Sequence, residues 1–295
     1  MQKVLIAGAS GYLGKYLVRA FKEQGYFVRA IVRNEQKLAV AGPYLEPAVA
    51  DLIDEVLIAD AAEANSLRGA CNGMDIVCSS LGLTRQKGSQ TFYDVDYLGN
   101  LQLLEEAKKE RVSKLMYIHV LKGEKMKNPL VKAKQAFAEK LKNSGMNYII
   151  VKPTGYFSDM SELLKMAENG RVFLIGDGKQ KINPIHGADL ADYCVRSIPT
   201  HDRAELEVGG PQIYEYREAA ALAFAIIQKK KRLFHVPAGL LSASLPFLRI
   251  FSPKQYGLFK FFLEGLTQDA VAPAYGTREL KTYFKEIAAH GHEKR

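Results

Sequence analysis

Short apolar, β-rich runs punctuate the first half of the chain: "KVLIAG", "FVRAIVR", "EVLIAD", "DIVCSS", "KLMYIHV" and "NYIIVKP". A loop or an amphipathic helical pattern follows each one. Strands separated by helices need right-handed crossovers, so the pattern predicts an α/β fold with a Rossmann-type, doubly wound parallel sheet. Such a sheet takes its ligand at the carboxyl ends of the strands. After Pro153 the rhythm changes to "SELLKMAENG", "RVFLIGDGKQKINPI", "ADLADYCVRSI", "REAAALAFAIIQKK" and two apolar helical stretches around 238–266. The expected division is a nucleotide-binding domain over 1–153 and a smaller substrate lobe over 154–295, with segments returning to the main domain.

The stretch "GASGYLG" sits directly after the first strand and opens the helix "YLGKYLVRAFKEQG". Glycines at 8, 11 and 14 suit a tight turn that lets backbone approach a pyrophosphate at a helix N-terminus. Gly8, Ser10, Gly11, Tyr12, Leu13 and Gly14 are therefore expected to cradle a dinucleotide. The residue ending the second strand discriminates between cofactors, since an acid there binds a ribose and an arginine pairs with a 2′-phosphate. That residue is Arg33, which favours NADP(H) over NAD(H). Asp60, after the third strand, is a candidate adenine contact, with a helix-cap role as the alternative. Ser79, Ser80 and Gly82, at the end of the fourth, are candidates for the ribose and phosphates.

These stretches, with "VRN", "FYDVDYLGNLQLLEEAKK", "AKQAFAEKLKNSGMNYIIVKPTGYF" and "INPIHGADLADYC", resemble an atypical short-chain dehydrogenase/reductase of the NmrA-like, divinyl chlorophyllide reductase-like group. The resemblance is densest over the first 200 residues or so. It implies an NADP(H) fold but not a reaction, because the group holds both reductases and members without evident turnover. In catalytic members a tyrosine gives a proton, and a lysine four residues later holds the ribose; that spacing puts both on one helix face. Matching "AKQAFAEKLKNSG" to this pattern makes Lys134 the lysine and Leu130 the tyrosine position. His119 and Val120 occupy the serine region. Leucine cannot donate a proton, so the usual pair is absent. Two other Tyr-x-x-x-Lys strings do not replace it. Tyr148 and Lys152 lie on a strand and are separated by roughly 13 Å, while Tyr256 and Lys260 lie in a late aromatic-rich helix that reads as packing.

The resemblance further implies that Pro153, Thr154 and Gly155 meet the nicotinamide carboxamide. Without the tyrosine, a conjugated acceptor such as a quinone, enone or polyene is favoured over a simple ketone, because delocalised charge needs a positioned acid less. Lys134, Tyr156 and His119 are the candidate catalytic residues, with water as a further proton source. His186 reads as a packed histidine and Asp189 as a helix cap. The competing reading is a non-enzymatic NADP(H)-binding regulator or assembly factor that works through a protein partner.

Charge and cysteines narrow the partners. The chain has 295 residues, and 41 Lys and Arg against 32 Asp and Glu give +9, which suits anionic ligands. The dinucleotide phosphates account for that charge without a nucleic-acid motif, so no nucleic acid is expected. Cys71, Cys78 and Cys194 are odd in number and widely spaced, supporting neither a disulfide framework nor a metal site. With the first strand beginning near Met1 and no apolar run of membrane-spanning length, a cytoplasmic protein with a small-molecule substrate is expected. The stretch "QKKKRLFHVPAGLLSASLPFLRIF" joins a basic run to an apolar helix. Peripheral membrane contact is one reading of it, and a packed lobe core beside a solvated charge run is the preferred one.

Overall fold

The computed structural model describes residues 1–83 and 90–293. In chain order the strands and α-helices are β1 (Lys3–Ala7), α1 (Tyr12–Glu23), β2 (Phe27–Val32), β3 (Glu55–Ile58), β4 (Ile76–Ser79), α2 (Asn100–Lys109), β5 (Lys114–Ile118), α3 (Pro129–Lys142) and β6 (Tyr148–Pro153). There follow α4 (Phe157–Glu168), β7 (Val172–Ile175), β8 (Lys181–Ile182), α5 (Gly187–Ser197), β9 (Ala204–Val208), β10 (Tyr214–Glu215) and α6 (Tyr216–Ile226). The chain ends with β11 (Leu233–Val236), α7 (Ala238–Phe251), α8 (Pro253–Leu266) and α9 (Leu280–Glu293). Two compact units result: residues 1–152 with 190–206, and residues 153–189 with 207–295.

The principal sheet runs in the order β3-β2-β1-β4-β5-β6-β9. From β3 to β6 every pairing is parallel, with Val4 opposite both Val28 and Ile76. This is the doubly wound sheet that the alternation of strands and helices predicts. Because the strands run the same way, the residues that follow them collect along one edge: Gly8, Arg33, Asp60, Ser80 and His119. The reversal of strand order at β1 and β4 puts the glycine turn at the switch point.

The central strands are buried on both faces, and α2 and α3 close one side of the sheet. Leu103, Leu104 and Ala107 from α2 join Phe137, Ala138 and Leu141 from α3 in a cluster with Leu115, Tyr117 and Ile150. Helix α3 starts cleanly, because Asn128 caps the Val131 N–H at 2.9 Å and Pro129 follows it. Between Asp60 and β4 the chain forms a succession of turns rather than the helix suggested by "AEANSLRG". Asn65, Gly69 and Gly73 all take positive φ there, which breaks any regular helix.

In the second unit, α4, α6 and α9 pack together around Phe157, Phe224, Tyr283 and Phe284. Two small ribbons, β8 with β10 and β7 with β11, complete it. Helix α7 has no buried residue, which corrects the expectation that both apolar stretches near 238–266 form lobe core. Its inner stripe of Leu241, Ser244, Leu245 and Leu248 is only half-buried.

Candidate functional site

The turn after β1 is shaped by contacts that exclude side chains. Gly8 has φ +85°, and a Cβ at Gly14 would stand 2.0 Å from the Gly8 carbonyl oxygen. Gly11 caps α1 without a side-chain hydrogen bond, and the first helical turn holds no acid. These features leave backbone N–H groups and the positive end of the helix dipole facing the turn, as an anion requires. Ser10 and Tyr12 are half-buried beside it. Leu13 points its side chain into the core, so it can serve a ligand only through its backbone.

Arg33 stands at the end of β2 with its side chain 59% exposed. It donates to Gln90 at 2.9 Å, and Gln90 donates in turn to Asp60 at 2.8 Å. Arg33 and Asp60 are 3.8 Å apart. The other Asp60 oxygen accepts from the Ala62 N–H, so Asp60 holds the local turn and aims the arginine. At the end of β4 the two serines divide. Ser79 is fully buried and donates to Asn100, which turns this candidate ligand into an internal strut. Ser80 donates to the Ala7 carbonyl at 3.1 Å and lies against Gly8, so it belongs to the wall of the turn.

Lys134 rises from the first half of α3 to a position under Gly82. Its Nζ is 3.3 Å from Asp96 and 3.3 Å from the Ile118 carbonyl oxygen, and 5.2 Å from the centre of the Tyr117 ring. A Cβ on Gly82 would come within 2.7 Å of Asp96 and 3.1 Å of Lys134 Nζ. Asp96 is fully buried within a π-helical segment, Tyr93–Gly99, and accepts from the Leu83 N–H at 3.1 Å. Burial pushes its carboxyl pKa up, and the Lys134 ammonium pulls it back. Charge-assisted contacts are ordinarily shorter than 3.3 Å, so neither acceptor saturates the ammonium. Asp96, Asn100 and Tyr117 escaped the sequence reading. The signal for Asp96 was an acid on the apolar face of "YDVDYLG", visible only once a π-helix, common at functional sites, sets the register.

One turn before Lys134 is buried Leu130, so no hydroxyl stands at the tyrosine position. His119 is also buried. Its Nδ1 accepts from the Val120 N–H, which leaves the proton on Nε2, 3.1 Å from Gln135 Oε1. Burial, aided by Lys134 and Lys152, lowers its pKa to about 3. Both ring nitrogens are engaged and the ring is neutral near pH 7, which is the arrangement of a structural histidine. The other two tyrosine-lysine strings are occupied as well: Lys152 pairs with Glu205 at 2.5 Å, and Lys260 lies 5.8 Å from the Tyr256 ring centre.

The remaining candidates lie in the second unit. Thr154 uses both its N–H, on the Val208 carbonyl, and its hydroxyl, on the Asn183 carbonyl at 2.6 Å. Gly155 accepts from Ile185, and a Cβ there would press on Ile182 at 3.1 Å. Pro153 is buried, and Tyr156 opens α4 with its N–H on Asp159. His186 is packed between Phe157 and Tyr283. Asp189 binds the Arg278 N–H and guanidinium, so it anchors a distant segment where a helix cap was the sequence expectation. Cys71, Cys78 and Cys194 are free and buried, and burial pushes Cys71 and Cys78 up to about 12, where they are inert thiols.

A glycine turn at a switch point, an exposed arginine after β2 and a lysine under the end of β4 thus lie along the carboxyl edge of the sheet, where a doubly wound fold takes its ligand. The profile of a family described as NAD(P)H-binding matches residues 8–201. The chain belongs to that family. It is 25% identical to divinyl chlorophyllide a 8-vinyl-reductase of Oryza sativa subsp. indica, covering 98% of this chain and 79% of the relative. It is 33% identical to photosystem II assembly factor Ycf39 of Cyanophora paradoxa over 53% of this chain and 46% of that one. Among solved structures, the NADPH-dependent quinone oxidoreductase of Escherichia coli in complex with NADPH superposes with TM-score 0.73 at 19% identity, covering 98% and 99% of the two chains. Citrobacter triphenylmethane reductase superposes with TM-score 0.76 at 17% identity, covering 97% and 99%. The family and fold implied by the sequence motifs are thereby shown.

Proposed function

We propose that this protein is an NADPH-dependent reductase of a conjugated, apolar acceptor such as a quinone, enone or polyene. The observation that carries the reading is the Lys134–Asp96 pair beneath Gly82, with Leu130 where the acid of a ketone reductase would stand. NADPH, when bound, supplies a hydride, and the acceptor gains that hydride and one proton.

The chain's own residues divide the work. The Gly8–Gly14 turn offers N–H groups to the diphosphate, and Arg33 offers a guanidinium to a 2′-phosphate. Lys134 holds ribose hydroxyls with donors that Asp96 and Ile118 leave unsaturated, and Asp96 fixes its position. Neutral, doubly bonded His119 is a poor proton source, so Tyr156 or water is the proton donor. A delocalised anion tolerates that weak provision. The relatives named for reduction of a vinyl group, a quinone and a dye lend this acceptor class support.

Mixing the protein with NADPH and a panel of quinones and enones, and following NADPH absorbance, tests this reading. Acceptor-dependent oxidation is expected, with kcat/KM falling about a hundredfold in Lys134→Ala as the ribose loses its anchor. Arg33→Ala should weaken NADPH binding roughly tenfold to fiftyfold and leave NADH binding unchanged, since it removes one charge-assisted contact. Tight NADPH binding without oxidation of any acceptor would instead favour a non-enzymatic assembly factor. Leu130 and the likeness to Ycf39 support that second reading.

A further inference from the structure

From Ala219 to Leu263 the chain contains no Asp or Glu, while seven Lys and Arg fall in the same stretch. Lys229, Lys230, Lys231 and Arg232 are all exposed, and among the described residues none of them is in an ion pair. Directly after this run, β11 pairs with β7 and sets Phe234 beside Phe173, the two rings stacked at 5.4 Å and both exposed. Helix α7 follows. Its outer face carries Leu240 at 66% exposure, Phe247 at 68%, Ile250 at 73% and Phe251 at 80%. Single exposed apolar residues are ordinary, but four on one helix beside an exposed aromatic pair mark a binding surface.

We propose that this cationic, apolar segment docks the protein on an anionic lipid surface. The charge selects that occupant. Aliphatic and aromatic side chains enter the boundary between headgroups and acyl chains, while the lysines and arginines meet lipid phosphates, as interfacial helices do. A second copy of this chain fits poorly, because a two-fold contact would set one acid-free, basic segment against another. Lys231 also lines an open pocket of about 590 Å³ with His235, Lys179 and Arg217; Lys179 pairs with Asp177 and Arg217 with Glu215, so among the described residues Lys231 is the cation there with charge to offer a phosphate headgroup. The helix rests on the membrane rather than crossing it. Fourteen residues span about 21 Å, short of the roughly 30 Å hydrocarbon core, and no helix among the described residues is long and apolar enough to cross a membrane.

Co-sedimentation with vesicles of phosphatidylcholine, alone or with added phosphatidylglycerol, tests the proposal. The full chain should bind only the mixed vesicles, and raising the salt should release it. The combined change Phe247→Ser, Ile250→Ser, Phe251→Ser should weaken binding at least tenfold, and Lys230→Gln, Lys231→Gln, Arg232→Gln by about fivefold for each charge removed. All six side chains are exposed, so the thermal midpoint should stay within a few degrees of the parent and serves as the folding control. No binding to the mixed vesicles at low salt overturns the proposal, as does binding that both variants retain. A concentration-dependent dimer that the serine variant abolishes, without vesicle binding, would assign the surface to self-association.

Discussion

Helices α3 and α7 are equally long, fourteen residues each, yet they end in opposite environments. Helix α3 carries lysines at 132, 134, 140 and 142 but buries Leu130, Val131, Ala133, Phe137, Ala138 and Leu141. Helix α7 has a single charge, Arg249, and buries nothing. Apolar content therefore does not decide what goes inside. Helix α3 offers one continuous stripe against a sheet whose face is apolar along its length; Lys132 and Lys140 extend into solvent from the opposite side, and Lys134 alone reaches in toward Asp96. Helix α7 has apolar residues all round, so whichever face turns to α8, another remains in water.

The largest test of this contrast is Phe137→Ala. The ring is fully buried and meets Tyr117 edge-on at 4.7 Å, so its loss removes apolar burial and leaves a cavity beneath the sheet. A loss of about 3–5 kcal/mol in urea unfolding is expected. A loss under 1 kcal/mol would mean that α3 is held by its termini rather than by its stripe.

Acid should act next, through the ring that Gln135 of α3 holds. The His119 pKa falls to about 3 and the His186 pKa to about 4, both chiefly because of burial. An unfolded histidine titrates near 6.5, so the native state resists a proton that the unfolded chain accepts. The stabilisation is complete above pH 6.5 and is lost as pH falls, toward about 4 for His186 and about 3 for His119, with a slope of about 1.4 kcal/mol per pH unit for each histidine. Guanidinium melts from pH 7 to 4 should show this decline, offset in part by Asp159, whose carboxyl burial raises to about 6, and His119→Gln should lessen the decline by about 1.4 kcal/mol per pH unit. An unchanged slope in that variant would remove His119 from the list of buried neutral groups.

What was legible in the sequence follows the same division. Six strands and the glycine turn could be read because they depend on local pattern: apolar runs, and glycines that no side chain can replace. Lys134 and Leu130 could be placed by their spacing on one helix. The partner of Lys134 could not, because Asp96 is brought to it by a π-helical segment that shifts the register of "YDVDYLG". Ser79 and Ser80 look alike in "CSSLG", but alternation along β4 sends one hydroxyl to Asn100 in the interior and leaves the other at the turn. The fate of α7 is illegible for a related reason: an apolar helix becomes core only where another surface covers it.

The smallest expected effect is the most informative about α7. Phe247→Ser removes a large apolar side chain, and in α3 a comparable change would be costly. At 68% exposure Phe247 has few partners to lose, so unfolding free energy should move by less than about 0.5 kcal/mol. Because serine also improves the solvation of that face, the change should lower aggregation on concentrating the protein. A destabilisation above about 2 kcal/mol would show that Phe247 is covered in solution, and the inner and outer faces of α7 would then have to be exchanged. If stability holds, the aromatic side chains of α7 contribute little to folding, and their place on this helix calls for a reason outside it.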